Sequence, residues 1–236
     1  MQADFLKQIK GKLIISCQAL SDEPLHSSFI MSRMAKAAAM AGASAIRANS
    51  IVDLQAIQDV VDLPLIGLDK VDYPDSPVYI TPTLKEMRAV AATGVAAVAC
   101  QVTGQSRPHD EHLADIVAAM HAEYPNTLLM ADTATVSDVI AADQLGFDLI
   151  GTTMHGYTSA TQGQNIADNN FAYLKDVLKT AQAPVIAEGK IDTPAKVTKA
   201  LELGCYSVVV GSIITRPQLI AVPFVEATAA VEKRDE

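Results

Sequence analysis

The sequence contains no tryptophan, only three cysteines among 236 residues, and no long uninterrupted apolar segment. Cys17, Cys100 and Cys205 each lie in an apolar run without C-x-x-C spacing, so we expect buried free thiols rather than metal ligands or nucleophiles. No apolar run approaches the ~18 residues of a membrane-spanning helix, and residues 1–5 lack the basic and apolar regions of a signal peptide. These absences predict a cytoplasmic protein with no membrane partner.

Positive charge is also scarce. The chain has 18 Lys and Arg against 27 Asp and Glu, a formal net charge of −9, which argues against a nucleic-acid partner because non-specific binding depends on a basic surface. Of five histidines, only His109 and His112 have helical spacing, and Asp110 and Glu111 between them suggest a solvated surface. We therefore expect no metal site and no cofactor.

Short apolar runs alternate with helical patterns throughout the chain. The apolar runs predict eight strands, at residues 13–18, 44–49, 64–70, 96–102, 127–132, 149–154, 184–188 and 207–211. The helical patterns predict helices at residues 3–10, 27–42, 51–57, 83–94, 109–124, 135–146, 168–181 and 193–203. Strands that are apolar on both faces and joined by helices indicate a parallel sheet covered by helices.

Eight such units predict an α/β fold of the closed (β/α)8 TIM barrel type, forming a single domain over residues 1–236. An open flavodoxin-like or Rossmann sheet is the alternative, but no G-x-G-x-x-G follows the first strand. Two connections, residues 71–82 and 155–170, are longer than a barrel needs. They leave the carboxyl ends of strands, so they are candidate walls of a site, with ordinary surface loops as the alternative.

The last two predicted strands each end in a glycine, Gly189 and Gly211, and Ser212 follows the second. Backbone N–H groups at such a strand end, next to the start of a helix, commonly bind phosphate in barrel enzymes. Arg216 lies close by, and its guanidinium offers two aligned donors to a phosphate. A salt bridge at the rim of the barrel is the alternative for Arg216.

Five polar residues end, or nearly end, predicted strands: Gln18, Arg47, Lys70, Asp132 and Glu188. In a barrel they would meet at the carboxyl edge, where polar residues are usually catalytic. Partial burial and the nearby Arg47 would lower the pKa of Lys70, so that its neutral amine could accept a proton. Burial near a phosphate would raise the pKa of Glu188, which could then act as an acid. A structural ion pair of Lys70 with Asp132 or Glu188 is the alternative.

Several segments of the sequence resemble the motifs of one family and occur in its order. These segments are Ala45-Ile46-Arg47-Ala48-Asn49, Tyr73-Pro74-Asp75-Ser76, Ile80-Thr81-Pro82-Thr83, Met130-Ala131-Asp132-Thr133, Gly151-Thr152-Thr153, Gly156-Tyr157-Thr158, Ala187-Glu188-Gly189-Lys190-Ile191 and Ile214-Thr215-Arg216-Pro217. They are similar to the bacterial N-acetylmannosamine-6-phosphate 2-epimerases, from about residue 11 to residue 220. The resemblance implies a ribulose-phosphate-binding-barrel-like isomerase of sialic acid and amino sugar catabolism.

The implied reaction converts N-acetylmannosamine 6-phosphate to N-acetylglucosamine 6-phosphate by removing and returning the proton at C2. By motif, Lys70 resembles the base, and Glu188 resembles its partner in ring opening or in the second proton transfer. The resemblance also implies binding roles for other residues that match the family's motifs. Those at the sugar are Gln18, Arg47 and Asp132, and those at the phosphate are Gly189, Gly211, Ser212 and Arg216.

Two residues depart from the family pattern. Ser212 stands where a second glycine is common, and its side chain would narrow the phosphate site. His155 stands where a small residue is common, and we expect its side chain to point to solvent.

Two other functions compete with this epimerase. A different sugar-phosphate barrel, such as a pentulose-phosphate epimerase or decarboxylase, usually relies on a metal or on several strand-end aspartates. A non-catalytic sugar-phosphate sensor would not need both Lys70 and Glu188. In each case the ligand is a small sugar phosphate. Residues 217–231 are rich in apolar side chains and predict either the last barrel helix or part of a partner surface, so we expect a homodimer.

Overall fold

In the computed structural model, which describes residues 2–232, eight parallel strands form one closed barrel. The strands are β1 (Leu13–Cys17), β2 (Ala45–Asn49), β3 (Leu65–Leu68), β4 (Ala97–Gln101), β5 (Leu128–Asp132), β6 (Leu149–Gly151), β7 (Val185–Ala187) and β8 (Ser207–Val210). Strand β1 closes the ring, since Ile14 aligns with Ala45 of β2 on one side and with Val209 of β8 on the other. The predicted (β/α)8 fold is confirmed.

The helices precede, connect or follow the strands, and the outside of the ring is covered by the connecting ones. They are α1 (Gln2–Ile9), α2 (Ser28–Met40), α3 (Ile51–Gln58), α4 (Leu84–Ala91), α5 (Leu113–Glu123), α6 (Val136–Leu145), α7 (Asp168–Thr180), α8 (Pro194–Glu202), α9 (Ser212–Thr215) and α10 (Pro217–Glu232). The predicted start of the fifth helix at His109 is wrong. His109 has a positive φ of 58° inside a short 3-10 turn, which an α-helix does not accommodate.

The core has two layers on either side of the strands. Outward-facing strand residues pack against the helices, and inward-facing residues such as Ile66, Met130 and Ile186 fill the barrel. Phe5 and Ile9 of α1 join this inner cluster, so α1 packs at the amino-terminal end of the ring. The carboxyl ends of the strands are left as the open mouth, where barrel enzymes carry their sites.

Within residues 2–232, no helix combines the length and the apolar character needed to cross a membrane. The three cysteines are free thiols buried in the core. Burial raises the pKa of Cys17 to about 12 and that of Cys100 to about 11, because the charged thiolate loses its hydration there. This is the inert environment that the sequence predicts for these residues.

Candidate active site

A cavity of about 1170 Å³ opens at the carboxyl ends of the strands. Four of the five predicted strand-end residues line it: Gln18, Arg47, Lys70 and Glu188. Residues of the predicted phosphate site, Gly189, Gly211, Ser212 and Arg216, line the same cavity. The barrel thus brings together two groups of residues that the sequence analysis identified separately.

Arg47 is the central charge of the cavity floor and is only 1% exposed. Its guanidinium donates to both carboxylate oxygens of Asp132, with Nη1–Oδ1 at 3.0 Å and Nη2–Oδ2 at 2.5 Å. Nη1 also lies 3.0 Å from Oε2 of Glu188. One buried cation therefore holds two buried carboxylates, which is the arrangement that makes burial of these charges tolerable.

Asp132 lies beneath the cavity, where it is fully buried, and is not among the residues that line it. Besides its two bonds to Arg47, its Oδ1 accepts a hydrogen bond of 2.6 Å from Thr153 Oγ1. The family resemblance implies that Asp132 contacts the sugar. In the structure Asp132 lies below the cavity floor, where it orients Arg47 and Thr153.

Glu188 is fixed through its backbone by Thr152, which is itself fully buried. The Thr152 hydroxyl donates to the carbonyl of Glu188 at 2.7 Å and accepts from its N–H at 2.9 Å. Burial raises the pKa of Glu188 to about 7, although Arg47 opposes the shift. Oε2 contacts Arg47 but has no aligned hydrogen bond. Because its pKa is about 7, the carboxyl group can hold or release a proton near neutral pH.

Lys70 follows β3, and its backbone is fixed on two sides. Its N–H donates to Asn49 Oδ1 at 2.8 Å, and the residue forms an antiparallel bridge with Ile80. Burial lowers the pKa of Lys70 to about 8, and the charges of Arg47 and Arg216 add to the shift. A pKa near 8 leaves most of the Lys70 amine protonated at neutral pH but makes its neutral form accessible.

The structural ion pair proposed as an alternative for Lys70 is not formed by the residues that the structure describes. There, Asp132 and Glu188 form their ion pairs with Arg47. The salt bridge expected as the alternative for Arg216 is present, since its Nη2 lies 3.0 Å from Oε2 of Glu23. Both ends of this pair are partly exposed at the cavity mouth.

The two glycines of the predicted phosphate site each lie where a side chain would be strained or crowded. Gly189 has a φ of 100°, a region that other residues rarely occupy. A Cβ on Gly211 would lie 3.2 Å from the Cβ of Ser16 on the neighbouring strand. Gly211 directly precedes α9, which Ser212 begins, so the N–H groups at this turn are available to an anion.

The prediction that His155 points to solvent is wrong. The residue is 5% exposed, its ring stacks on Tyr173 with centroids 3.6 Å apart, and Nδ1 lies 3.0 Å from the carbonyl oxygen of Ala134. Burial lowers the pKa of His155, which favours the neutral ring. His155 is thus a packing residue of the β6–α7 connection and does not line the cavity.

Both long connections contribute walls to the cavity, as the sequence suggested. Tyr79 comes from the β3–α4 connection and Tyr157 from the β6–α7 connection. Lys190 holds the second wall: its Nζ donates to the carbonyl of Gln164 at 2.6 Å and lies 5.4 Å from the centre of the Tyr157 ring. These contacts connect the loop after β6 to the turn after β7.

Four residues that were not predicted from the sequence hold other site residues: Asn49, Thr152, Thr153 and Glu23. The first three end or follow strands, which is the position that identified the catalytic candidates. Glu23 has no comparable signal. Across residues 2–232, no group of three or more His, Cys, Asp or Glu residues could hold a metal ion.

Comparison with known proteins gives one consistent family. Residues 31–230 match the family described as "Putative N-acetylmannosamine-6-phosphate epimerase". Two similar proteins are each named putative N-acetylmannosamine-6-phosphate 2-epimerase. One, from Lactiplantibacillus plantarum, is 70% identical over 96% of this chain and all of the relative. The other, from Listeria monocytogenes, is 56% identical over 97% of this chain and 96% of the relative.

Solved structures agree with this result. The N-acetylmannosamine-6-phosphate 2-epimerase from Clostridium perfringens superposes with a TM-score of 0.89 at 48% identity, covering 94% of this chain and 95% of that one. A thiamine phosphate pyrophosphorylase from Pyrococcus furiosus has a TM-score of 0.56 at 16% identity, covering 87% and 88% of the two chains. The second similarity supports the barrel fold alone.

Proposed function

Because the chain belongs to the N-acetylmannosamine-6-phosphate epimerase family, we propose that it interconverts N-acetylmannosamine 6-phosphate and N-acetylglucosamine 6-phosphate. The observation that carries the proposal is the pairing, in one cavity, of a lysine with a lowered pKa and a glutamate with a raised pKa. Epimerisation at C2, with opening of the sugar ring, needs a group that takes a proton and a group that gives one. Groups with pKa values near the working pH do this most effectively.

In the proposed reaction, the neutral amine of Lys70 removes the proton from C2 of the open-chain sugar. The C–H electron pair forms a double bond between C2 and C1, and negative charge develops on the C1 oxygen. Arg47 is the donor placed to stabilise that charge. Return of a proton to the opposite face of C2 completes the epimerisation, and the Glu188 carboxyl group supplies a proton for ring opening or for this return.

The remaining site residues bind the substrate or orient a residue that does, without taking part in proton transfer. Gln18 lines the cavity with a buried Oε1 that has no protein partner, so it is suited to accept a hydrogen bond from a sugar hydroxyl. The phosphate binds at the other end, to N–H groups of Gly189, Gly211 and Ser212 and to Arg216. Asp132 keeps the Arg47 guanidinium in place from below.

The competing functions have less support. A pentulose-phosphate epimerase or decarboxylase would differ from the family assignment, and a pure sensor has no need for two groups with shifted pKa values in one site.

A chelator distinguishes the proposed epimerase from a sugar-phosphate barrel enzyme that relies on a metal. We expect the activity to persist in EDTA, and strong loss of activity there would contradict a metal-free reaction.

The proposed function is tested by proton NMR in D2O with N-acetylmannosamine 6-phosphate. We expect the gluco epimer to appear with deuterium at C2, because the lysine exchanges its protons with solvent. Formation of the epimer without deuterium would contradict an exchanging base. Binding of the sugar phosphate without any epimer would favour the sensor.

The pH dependence of kcat/KM should be bell-shaped. The active enzyme carries one proton on the Lys70–Glu188 pair, so activity is lost below a pKa of about 7 and above a pKa of about 8. The same bell results whether Lys70 is the base or its ammonium form is the acid, because both forms carry one proton in total. The profile alone therefore does not assign the base.

Glu188→Gln distinguishes the two assignments. With Lys70 as the base, we expect residual activity that rises with pH through the pKa of Lys70 and shows no alkaline fall. That pKa should lie below the wild-type value, because the Glu188 charge that raises it is gone. A variant with no activity at any pH, but with unchanged sugar-phosphate binding, would make Glu188 essential to proton transfer, and deuterium exchange at C2 that persists in Lys70→Ala would then make it the base.

We further propose that the protein is a cytoplasmic homodimer acting in the catabolism of sialic acids and other amino sugars. A phosphorylated sugar does not readily leave the compartment where it forms, since charged groups cross bilayers at high cost. Support for the dimer comes from α10. Every side chain described from Ala221 to Thr228 is exposed, and these include Val222, Phe224 and Val225. Such an apolar helix is typical of an interface.

Phe224→Asp with Val225→Asp should convert the dimer to a monomer in light-scattering measurements, because two charges would have to be buried in the interface. Ile140→Asp is the matched control, since Ile140 is an exposed apolar residue on α6, and it should leave the molar mass unchanged. Monomeric wild-type protein at micromolar concentration would rule the dimer out.

A further inference from the structure

The cavity mouth contains an ion pair that links two separate parts of the chain. Glu23 lies in the connection between β1 and α2, and Arg216 lies between α9 and α10. Their side chains are 15% and 22% exposed, with Arg216 Nη2 3.0 Å from Glu23 Oε2. The residues just before Glu23 and Arg216 itself line the cavity. The pair therefore connects two walls of the site.

Both oxygens of the Glu23 carboxylate have further partners. Oε2 accepts the N–H of Leu20 at 2.7 Å, and Oε1 accepts from Nε2 of Gln218 at 2.9 Å. A surface ion pair between two mobile side chains usually contributes little. Here the carboxylate is held in a turn of its own loop and bonded to α10, so it is a fixed anchor for the guanidinium.

The guanidinium of Arg216 contacts Glu23 through Nη2. A planar guanidinium has donors on more than one edge, so one edge can be held by a carboxylate while another makes two parallel hydrogen bonds to a phosphate. The backbone supports the same placement, since the N–H of Arg216 donates to the carbonyl of Ser212 at 3.1 Å. An arginine fixed in advance loses less rotamer freedom when the phosphate binds.

We propose that Glu23 is a positioning residue for phosphate recognition: it holds Arg216 toward the cavity that Gly189, Gly211 and Ser212 line. The proposal rests on the proposed function, in which Arg216 binds the phosphate of the substrate. Glu23 acts through Arg216 and does not contact the substrate. Its carboxylate also keeps the β1–α2 connection against the start of α10, at Gln218.

The test is Glu23→Gln, with inorganic phosphate as the binding probe and the sugar phosphate as the substrate. We expect the Kd for phosphate and the KM to rise by about threefold to tenfold. The kcat should stay within about twofold, since binding is lost equally in the ground state and the transition state. Glu123→Gln is the matched control, because it removes the exposed Arg88–Glu123 pair on the outside of the barrel and should change neither constant.

A double-mutant cycle separates positioning from a general structural role. In an Arg216→Ala background, Glu23→Gln should have no further effect on the Kd for phosphate, because the residue through which it acts is gone. Additive effects would overturn the proposal. So would an unchanged Kd and KM in Glu23→Gln, or tighter phosphate binding, which would make Glu23 a competitor of the phosphate. If the cycle behaves as expected but the wild type epimerises no sugar, the proposed function fails and the Glu23–Arg216 coupling stands.

Discussion

Lys70→Ala is expected to abolish deuterium incorporation at C2 and to lower epimerisation by about 10²- to 10⁴-fold, the contribution of a positioned general base. The loss should be in kcat, because the amine acts on the reacting proton. Proton NMR in D2O measures both quantities in one experiment. The backbone of Lys70 is held by Asn49 and Ile80, so the barrel should keep its fold without the side chain.

Lys70→Arg is the matched variant for the competing interpretation, in which Lys70 supplies only positive charge. Arginine keeps the charge but does not lose its proton at accessible pH. We expect Lys70→Arg to be as inactive as Lys70→Ala while still binding inorganic phosphate. If Lys70→Arg retained a tenth or so of the wild-type kcat, a base with a pKa near neutrality would be contradicted.

Arg47→Met is expected to lower the free energy of unfolding by about 3–5 kcal/mol, the usual cost of leaving buried charges without a partner. Arg47 is the cation that pairs with both Asp132 and Glu188, so its loss leaves two carboxylates in the core. Urea unfolding followed by far-ultraviolet circular dichroism measures the change. This probe suits a chain without tryptophan. Activity should be lost as well, because the donor to the C1 oxygen is gone.

The pH dependence of this variant identifies the cause. Arg47 opposes the rise in the pKa of Glu188, so without Arg47 that pKa rises further and the folded protein binds a proton that the unfolded chain releases. Its stability should therefore fall as pH rises through the folded-state pKa of Glu188 and partly recover in mild acid. Adding Asp132→Asn to Arg47→Met should also recover stability. A destabilisation independent of pH and of Asp132 would indicate a packing defect instead.

The barrel could be predicted because the same sequence pattern, an apolar run followed by a helical segment, occurs along the whole chain. Eight apolar runs with intervening helical patterns specify the unit, and any one boundary can be wrong without changing the architecture. The strand predicted to end at Met154 ends at Gly151, since the chain turns there and places Thr152 against Glu188. The helix expected from His109 begins at Leu113, because backbone conformations of single residues in a turn are not set by hydrophobic periodicity.

The sequence predicts which residues belong to the candidate site, but not how deep in the barrel each of them lies. Strand-end position alone identifies Arg47, Asp132 and Glu188 as neighbours. It does not show that Asp132 lies below Arg47, because that depends on how far each side chain extends into the barrel. His155 is polar in a long loop, and only the three-dimensional packing against Tyr173 explains its burial. The Glu23–Arg216 pair joins opposite ends of the chain, and no local pattern encodes it.

The three buried thiols provide a way to follow how this ring opens. Cys17 ends β1 and Cys205 lies just before β8, so both flank the seam where the first strand meets the last. Cys100, on β4, lies across the ring. Each thiol is shielded from an alkylating reagent while its surroundings are closed, so its labelling rate reports local opening. Comparison of the three rates would show whether the seam between the chain ends opens before the opposite side.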